Sequence, residues 1–325
     1  MHLFEFSTDD RVAFLQQKMN DVKTEIGKVI VGQHDMLELL MAGLLAGGHI
    51  LIEGVPGVAK TLTAKLLAKT IDTQFSRIQF TPDLMPSDVI GTPVFNPKDA
   101  AFIFKKGPIF GNIILIDEVN RAPAKTQSSL FEVMEEKQIT VDGETYSLQA
   151  PFLVIATQNP IEQEGTYRLP EAQLDRFLFK INVPYPSLDE EITILTNHQQ
   201  LGGMQAIHSI APVLSKEEIV ALQQTVNNFM ADEKLLSFIA GIVQETRQHK
   251  SLSVGASPRS SIGILIASKA IAALRGRTFV TPEDIIHVCK PVLRHRIILT
   301  PEKEMEGTST DEVIEQIIQS VEIPR

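Results

Sequence analysis

Tryptophan is absent from the 325 residues, aromatics make up 6%, and the one cysteine is Cys289. A lone thiol forms no internal disulfide, so the fold must close on its apolar core, and a reducing compartment such as the cytoplasm is expected. Long hydrophobic runs are missing as well. The longest, Leu39 to Gly48, has ten residues, well short of the roughly 20 that a membrane-spanning helix needs. The first ten residues hold Glu5, Asp9 and Asp10 where a secretory leader would be basic, so no targeting segment is expected. Basic residues are outnumbered, 30 against 40 acidic, for a net charge of −10. Residues 1–190 hold 17 basic and 25 acidic residues, and 191–325 hold 13 and 15. Such a balance disfavours broad contact with nucleic acid. The eight histidines show no metal-ligand spacing, and there is no Gly-x-Ser-x-Gly elbow for hydrolase chemistry. Nor is there an Asn-Lys-x-Asp to read guanine, so adenine is the expected base.

What is present suits a globular chain: 43% hydrophobic and 22% charged residues, with a length that suggests about two domains at roughly 150 residues each. Val12, Leu15, Met19, Val22, Ile26 and Val29 recur at helical spacing. Short apolar runs at 49–53, 111–116, 151–157 and 177–183 read as buried strands, with a further strand near 75–80 and a helix over 60–70. This alternation predicts an α/β fold, a parallel sheet flanked by helices. Segments 92–95 with 101–105, and 138–141 with 145–148, read as inserted hairpins, the second turning at Asp142-Gly143. After Pro184-Tyr-Pro-Ser-Leu188 the periodicity becomes helical to the end, which places a domain boundary near 190 and an all-helical domain over 191–325.

The chemistry concentrates at three strand ends. Gly54-Val55-Pro56-Gly57-Val58-Ala59-Lys60-Thr61 lies between a buried strand and a helix. Glycines there let backbone N–H groups face an anion, and the helix N-terminus adds partial positive charge. In the pattern G-x-x-x-x-G-K-[ST], Lys60 reaches the β/γ-phosphates and the Thr61 hydroxyl ligates Mg²⁺. Ala59 stands in place of the second consensus glycine, which is tolerable if its φ stays negative. Ile113–Ile116 ends in Asp117-Glu118, two carboxylates at the sheet edge where ligands of such folds bind. Asp117 is expected to hold Mg²⁺ through water and Glu118 to polarise the attacking water. Ile155-Ala-Thr-Gln-Asn159 ends a third strand in a polar side chain. Arg176 and Arg259 add two cations, and Arg259 falls in the first turn of a helix begun by Ser257-Pro258. A cation at that end opposes the helix dipole by about 0.3–1 kcal/mol, so an anionic neighbour is expected.

These stretches, with Val31-Gly-Gln33, Gln79-Phe-Thr-Pro-Asp-Leu-Met-Pro-Ser-Asp88, Ile116-Asp-Glu-Val-Asn-Arg-Ala-Pro-Ala-Lys-Thr-Gln127, Leu169-Pro-Glu-Ala-Gln-Leu-Asp-Arg-Phe177 and Gly255-Ala-Ser-Pro-Arg259, resemble the MoxR family of AAA+ ATPases. Arg168 departs from the proline that relatives commonly carry there, away from the catalytic positions. The resemblance implies an ATP-binding core with a helical lid, with ATP and Mg²⁺ as ligands. It assigns the phosphate loop to 54–61 with Leu62 beside it, and the adenine contact to Val31 and Gly32. Thr61 and Asp117 become metal ligands, Glu118 the base, Asn159 sensor 1, Arg176 a finger offered to a neighbouring subunit, and Arg259 sensor 2. It further implies a homo-oligomeric ring, a hexamer, with both hairpins facing the pore, and chaperone-like maturation of a protein client. Clients with a von Willebrand factor A domain and metal or cofactor insertion belong to the same implication. Two other functions fit the same loop: a nucleic-acid motor, disfavoured by charge, and a non-catalytic nucleotide switch, disfavoured by Glu118 and Arg176.

Overall fold

The structure is a computed structural model, and it describes residues 7–55, 57–159, 167, 169–201 and 210–324. Its centre is a five-stranded parallel sheet in the order β2-β5-β8-β1-β9, from β1 (His49–Gly54), β2 (Phe75–Gln79), β5 (Ile113–Asp117), β8 (Leu153–Gln158) and β9 (Phe177–Val183). The central strands are apolar almost throughout because helices cover both faces. Side chains alternate between those faces. Ile50, Ile52, Ile113, Leu115 and Ile155 join one apolar cluster, and Leu51, Ile114, Ile116, Val154 and Ala156 join the other. Because every strand of this sheet is parallel, Gly54, Asp117 and Gln158 all end at one edge.

The first cluster is capped by α1 (Thr8–Gly27), α2 (His34–Ala46) and α3 (Lys60–Thr70). In α1 the buried residues are Val12, Leu15, Met19, Val22 and Ile26, the stripe expected from spacing, and Ser7 caps its start by accepting from the Asp10 amide at 3.2 Å. The second cluster is covered by α5 (Ala124–Glu136), which the sequence reading passed over although Leu130, Phe131, Val133 and Met134 are helically spaced. The short α4 (Pro86–Ile90) precedes the first hairpin, β3 (Gly91–Asn96) with β4 (Ala101–Lys106). The second hairpin is β6 (Gln138–Val141) with β7 (Glu144–Ser147). Its two turn residues, Asp142 and Gly143, both have positive φ, 51° and 83°, as an Asp-Gly type I′ turn requires.

Beyond β9, α6 (Glu171–Leu174) having preceded it, the chain is helical: α7 (Leu188–Leu201), α8 (Lys216–Asn227), α9 (Glu233–Gln248), α10 (Pro258–Leu274), α11 (Pro282–Leu293), α12 (Pro301–Met305) and α13 (Thr310–Ser320). One small ribbon was not foreseen, β10 (Leu252–Val254) antiparallel to β11 (Ile298–Leu299). Helix α10 packs on α1 and α2 as well as on α11, so the first apolar cluster runs without a break from Val12 to Ile318. Cys289 lies fully inside it, and burial pushes its thiol up to about 12. Among the described residues no helix is long and apolar enough to cross a membrane.

Candidate active site

The parallel sheet delivers its chemistry to one cavity of 360 Å³. Residues 57–62, Asp117, Glu118, Thr157, Gln158 and Asn159 line it, together with Arg77 and Gln79 from β2. The loop after β1, the carboxylates after β5 and the polar end of β8 therefore meet, as the strand ends predict. Lys60 opens α3 and its Nζ donates to the Gly54 carbonyl, arching back over the loop. Gly57 has φ +89°, in the region that favours glycine. Pro56 lies outside the described residues.

Ala59 differs from its expectation. Its φ is +58°, not negative, so an alanine occupies the left-handed region at the N-cap of α3. The α3 helix starts immediately after a tightly curled loop in which Gly57 also has positive φ, and this backbone path sets the sign of φ at Ala59. The methyl costs about 1–2 kcal/mol there.

Asp117 is buried and holds three donors. Thr61 Oγ1 at 3.2 Å and Thr157 Oγ1 at 3.1 Å donate to its Oδ1, and Arg77 Nε at 2.7 Å donates to Oδ2. Thr157 also accepts from the Glu118 amide at 3.1 Å, which ties β8 to the acidic pair. Glu118 itself takes a left-handed backbone, φ +58°, and its Oε2 faces Gln79 Nε2 at 2.8 Å and Arg121 Nε at 3.0 Å. Two carboxylates and a hydroxyl in one pocket make an all-oxygen donor set suited to a hard divalent cation. The guanidinium of Arg77 on Asp117 shows that positive charge is accommodated there.

Arg77, Gln79 and Arg121 were missed from sequence. The signal lay in strand register: β2 runs parallel beside β5 with Gln79 opposite Asp117, so Arg77 and Gln79, two apart, share the face that meets the acids.

Arg176 and Arg259 are not among the residues lining this cavity. Instead they converge on one carboxylate, Glu135 at the end of α5. Arg259 lies 2.5 Å from its Oε1 and Arg176 Nε lies 4.0 Å from its Oε2. Arg176 also donates to the Phe131 carbonyl. Glu135 is the anion that Arg259 needed at its helix N-terminus. The seam beneath is rigidly tied, since the buried Arg296 donates to Asp175 Oδ1 at 2.7 Å and to the Phe177 carbonyl at 2.6 Å. Ser257 Oγ donates to Asp175 Oδ2 at 3.2 Å rather than capping its own helix. Lid and core thus fix the backbone on both sides of Arg176.

A second cavity of 440 Å³ lies where the chain after Gly32 meets the end of β9 and helix α11, lined by Gln33, His34, Met36, Pro184, Tyr185 and Arg294 among others. Val31 and Gly32 immediately precede its lining, and Gly32 turns with φ +67°.

Comparison with known proteins fits this geometry. The profile described as "ATPase family associated with various cellular activities (AAA)" matches residues 49–179, and that of the AAA lid domain matches 244–317. The chain is 44% identical to the Mycobacterium tuberculosis protein named Chaperone MoxR1, over 93% of this chain and 81% of that one. The chain belongs to the MoxR family of AAA+ ATPases. It is also 48% identical, over 92% of both chains, to the Bacillus subtilis protein YeaC, for which no function is named. The crystal structure of a candidate ATPase from Cytophaga hutchinsonii superposes with a TM-score of 0.90, at 45% identity, covering 97% of this chain and 98% of that one. The MoxR-family fold, a parallel sheet flanked by helices with a lid, is thus shared across the full length of a solved relative.

Proposed function

We propose that this MoxR-family protein hydrolyses ATP at interfaces between copies of itself in a hexameric ring, and uses the cycle to remodel a protein client. One observation carries the reading. Lys60, Thr61, Asp117, Glu118 and Asn159 share a single cavity, while Arg176 and Arg259 stand together outside it on Glu135. A site with its phosphate loop and acids in one subunit and its arginines in the next is complete only when subunits meet.

In this reading the amides of 57–61 and Lys60 receive the β- and γ-phosphates, and the adenine lies in the second cavity beside Val31 and Gly32. Gly54, Val55, Pro56 and Leu62 complete the loop. Thr61 and Asp117 hold Mg²⁺, which when bound neutralises charge developing on the phosphoryl oxygens. Glu118 exchanges its Gln79 and Arg121 contacts for the attacking water and takes its proton. Asn159 steers that water and the γ-phosphate. Arg176 and Arg259 of the neighbouring subunit stabilise the departing charge, the arginine contribution being worth about 10³–10⁵ in rate.

The client surface is assigned to the hairpins. Phe95 and Phe102 pack edge to face, ring centroids 5.4 Å apart, near the end of the first hairpin, and Phe102 is 72% exposed. Exposed aromatics in this arrangement support contact with a protein more than with the acidic nucleic-acid backbone. A client bearing a von Willebrand factor A domain, metal or cofactor insertion, and work in the cytoplasm belong to the same proposal. So does the division into an ATP-binding domain over 1–190 and a lid over 191–325. The test is release of phosphate from ATP by the purified protein with Mg²⁺; no release under conditions where ATP binds would leave a nucleotide switch as the better account.

A further inference from the structure

Each acidic residue of the pocket carries an arginine from its own subunit, Arg77 on Asp117 and Arg121 on Glu118. We propose that Arg77 is a resident counter-cation of Asp117, exchanged for the divalent cation when nucleotide loads, so that it sets the metal concentration at which the site fills. The inference rests on Asp117 as the metal-holding carboxylate.

Asp117 is 6% exposed, and its Oδ1 is taken by the hydroxyls of Thr61 and Thr157. The remaining oxygen, Oδ2, is held by Arg77 Nε at 2.7 Å. A divalent cation approaching Oδ2 meets the guanidinium, and two positive groups on one carboxylate oxygen repel at contact distance. One must leave. Arg77 is free to do so: its side chain is 54% exposed, and it stands on β2, the edge strand of the sheet among the described residues. Thr61, by contrast, stays in place, because its hydroxyl oxygen keeps lone pairs for a metal after its proton turns elsewhere. An exposed arginine costs little to release, which is what a displaceable plug requires. A structural arginine would be buried and multiply bonded, as Arg296 is with its side chain 3% exposed.

The size of the effect follows from the strength of such pairs. Half-exposed ion pairs contribute little, corresponding to about a two- to fivefold change in a binding constant. Removing the charge of Arg77 should therefore let the metal bind at a concentration about two- to fivefold lower, and the difference should shrink in high salt.

The probe is Mn²⁺, followed by electron paramagnetic resonance with the full-length protein and a non-hydrolysable ATP analogue. Arg77→Gln and Arg77→Met should both shift the Mn²⁺ midpoint downward, whereas Arg77→Lys, which keeps the charge, should stay near wild type. Two uncharged variants of different shape guard against one that folds poorly, and thermal melting verifies each. If the uncharged variants bind Mn²⁺ at the wild-type midpoint or more weakly while Asp117→Asn loses it, the inference is wrong and the metal assignment stands. If Asp117→Asn binds Mn²⁺ as the wild type does, both fall.

Discussion

Mixing defective variants decides which subunit supplies each arginine. Arg176→Ala should bind ATP but lose about 10³–10⁵ in turnover, equivalent to about 4–7 kcal/mol of transition-state stabilisation. Glu118→Gln fails for a different reason, in the subunit that holds the nucleotide. In a ring with head-to-tail contacts, equal mixing of the two proteins before assembly gives about a quarter of interfaces an intact Glu118 facing an intact Arg176. Activity should then climb from near zero to about a quarter of wild type. Arg259 shares Glu135 with Arg176, so it should behave identically: Arg259→Ala mixed with Glu118→Gln recovers about a quarter as well. The sharpest arm mixes Arg176→Ala with Arg259→Ala. If both arginines come from the same neighbour, no interface in that mixture has the complete pair and activity stays flat. If Arg259 serves its own subunit's nucleotide, about a quarter of sites regain everything. A coupled phosphate-release assay reads all three mixtures. Recovery in the double-arginine mixture would refute the placement of Arg259 in trans, and no loss in either single variant would reduce the cluster to a surface salt bridge.

Two further outcomes test the fold beneath the site. His49 is fully buried between Val154, whose amide donates to its Nδ1 at 3.0 Å, and the Met134 carbonyl 3.1 Å from Nε2. Burial lowers its pKa from 6.5 to about 4. The folded state thus favours the neutral ring, so its stability is complete above 6.5 and is lost as pH falls toward 4. Between about pH 7.5 and about pH 5 this removes about 2 kcal/mol. Urea titrations across that range should show His49→Asn with a pH dependence shallower by that amount, and an equal slope would contradict the assignment. Ala59→Gly should raise the melting temperature, since relief of about 1–2 kcal/mol of left-handed strain outweighs about 0.5–1 kcal/mol of added unfolded-state entropy. A clear drop in calorimetric melting would mean that the loop does not need positive φ there.

Much of this was written in local patterns. Strand β9 was read at its full extent, Phe177–Val183, because aromatic and branched apolar residues over a strand's length, interrupted only by Lys180 and Asn182, run up to the turn residues after Val183. That the loop before α3 and Asp117-Glu118 stand at strand ends was equally plain, since each is a contiguous motif, and both line one cavity. What escaped depends on distance. Ribbon β10–β11 pairs Leu252 with Leu299, and so few residues show no periodicity of their own. Arg77 and Gln79 look like ordinary polar positions of an edge strand until the register with β5 is known. Glu135 gains its meaning only when α10 brings Arg259 across from 124 positions further along the chain. The sign of φ at Ala59 was misjudged because residue type was weighed without the tight turn from β1 into α3, whose curvature is visible only in the fold.

The most direct test of the account is a paired measurement on Glu118→Gln. The amide keeps the size of the carboxylate and its contact to Gln79, so the 360 Å³ cavity and its loop remain as they are. Isothermal titration should give ATP affinity near that of the wild type, while steady-state phosphate release falls by about 10²–10⁴, the usual share of a general base. Wild-type turnover in this variant, or loss of ATP binding together with turnover, would contradict the assignment of Glu118 as the group that activates water.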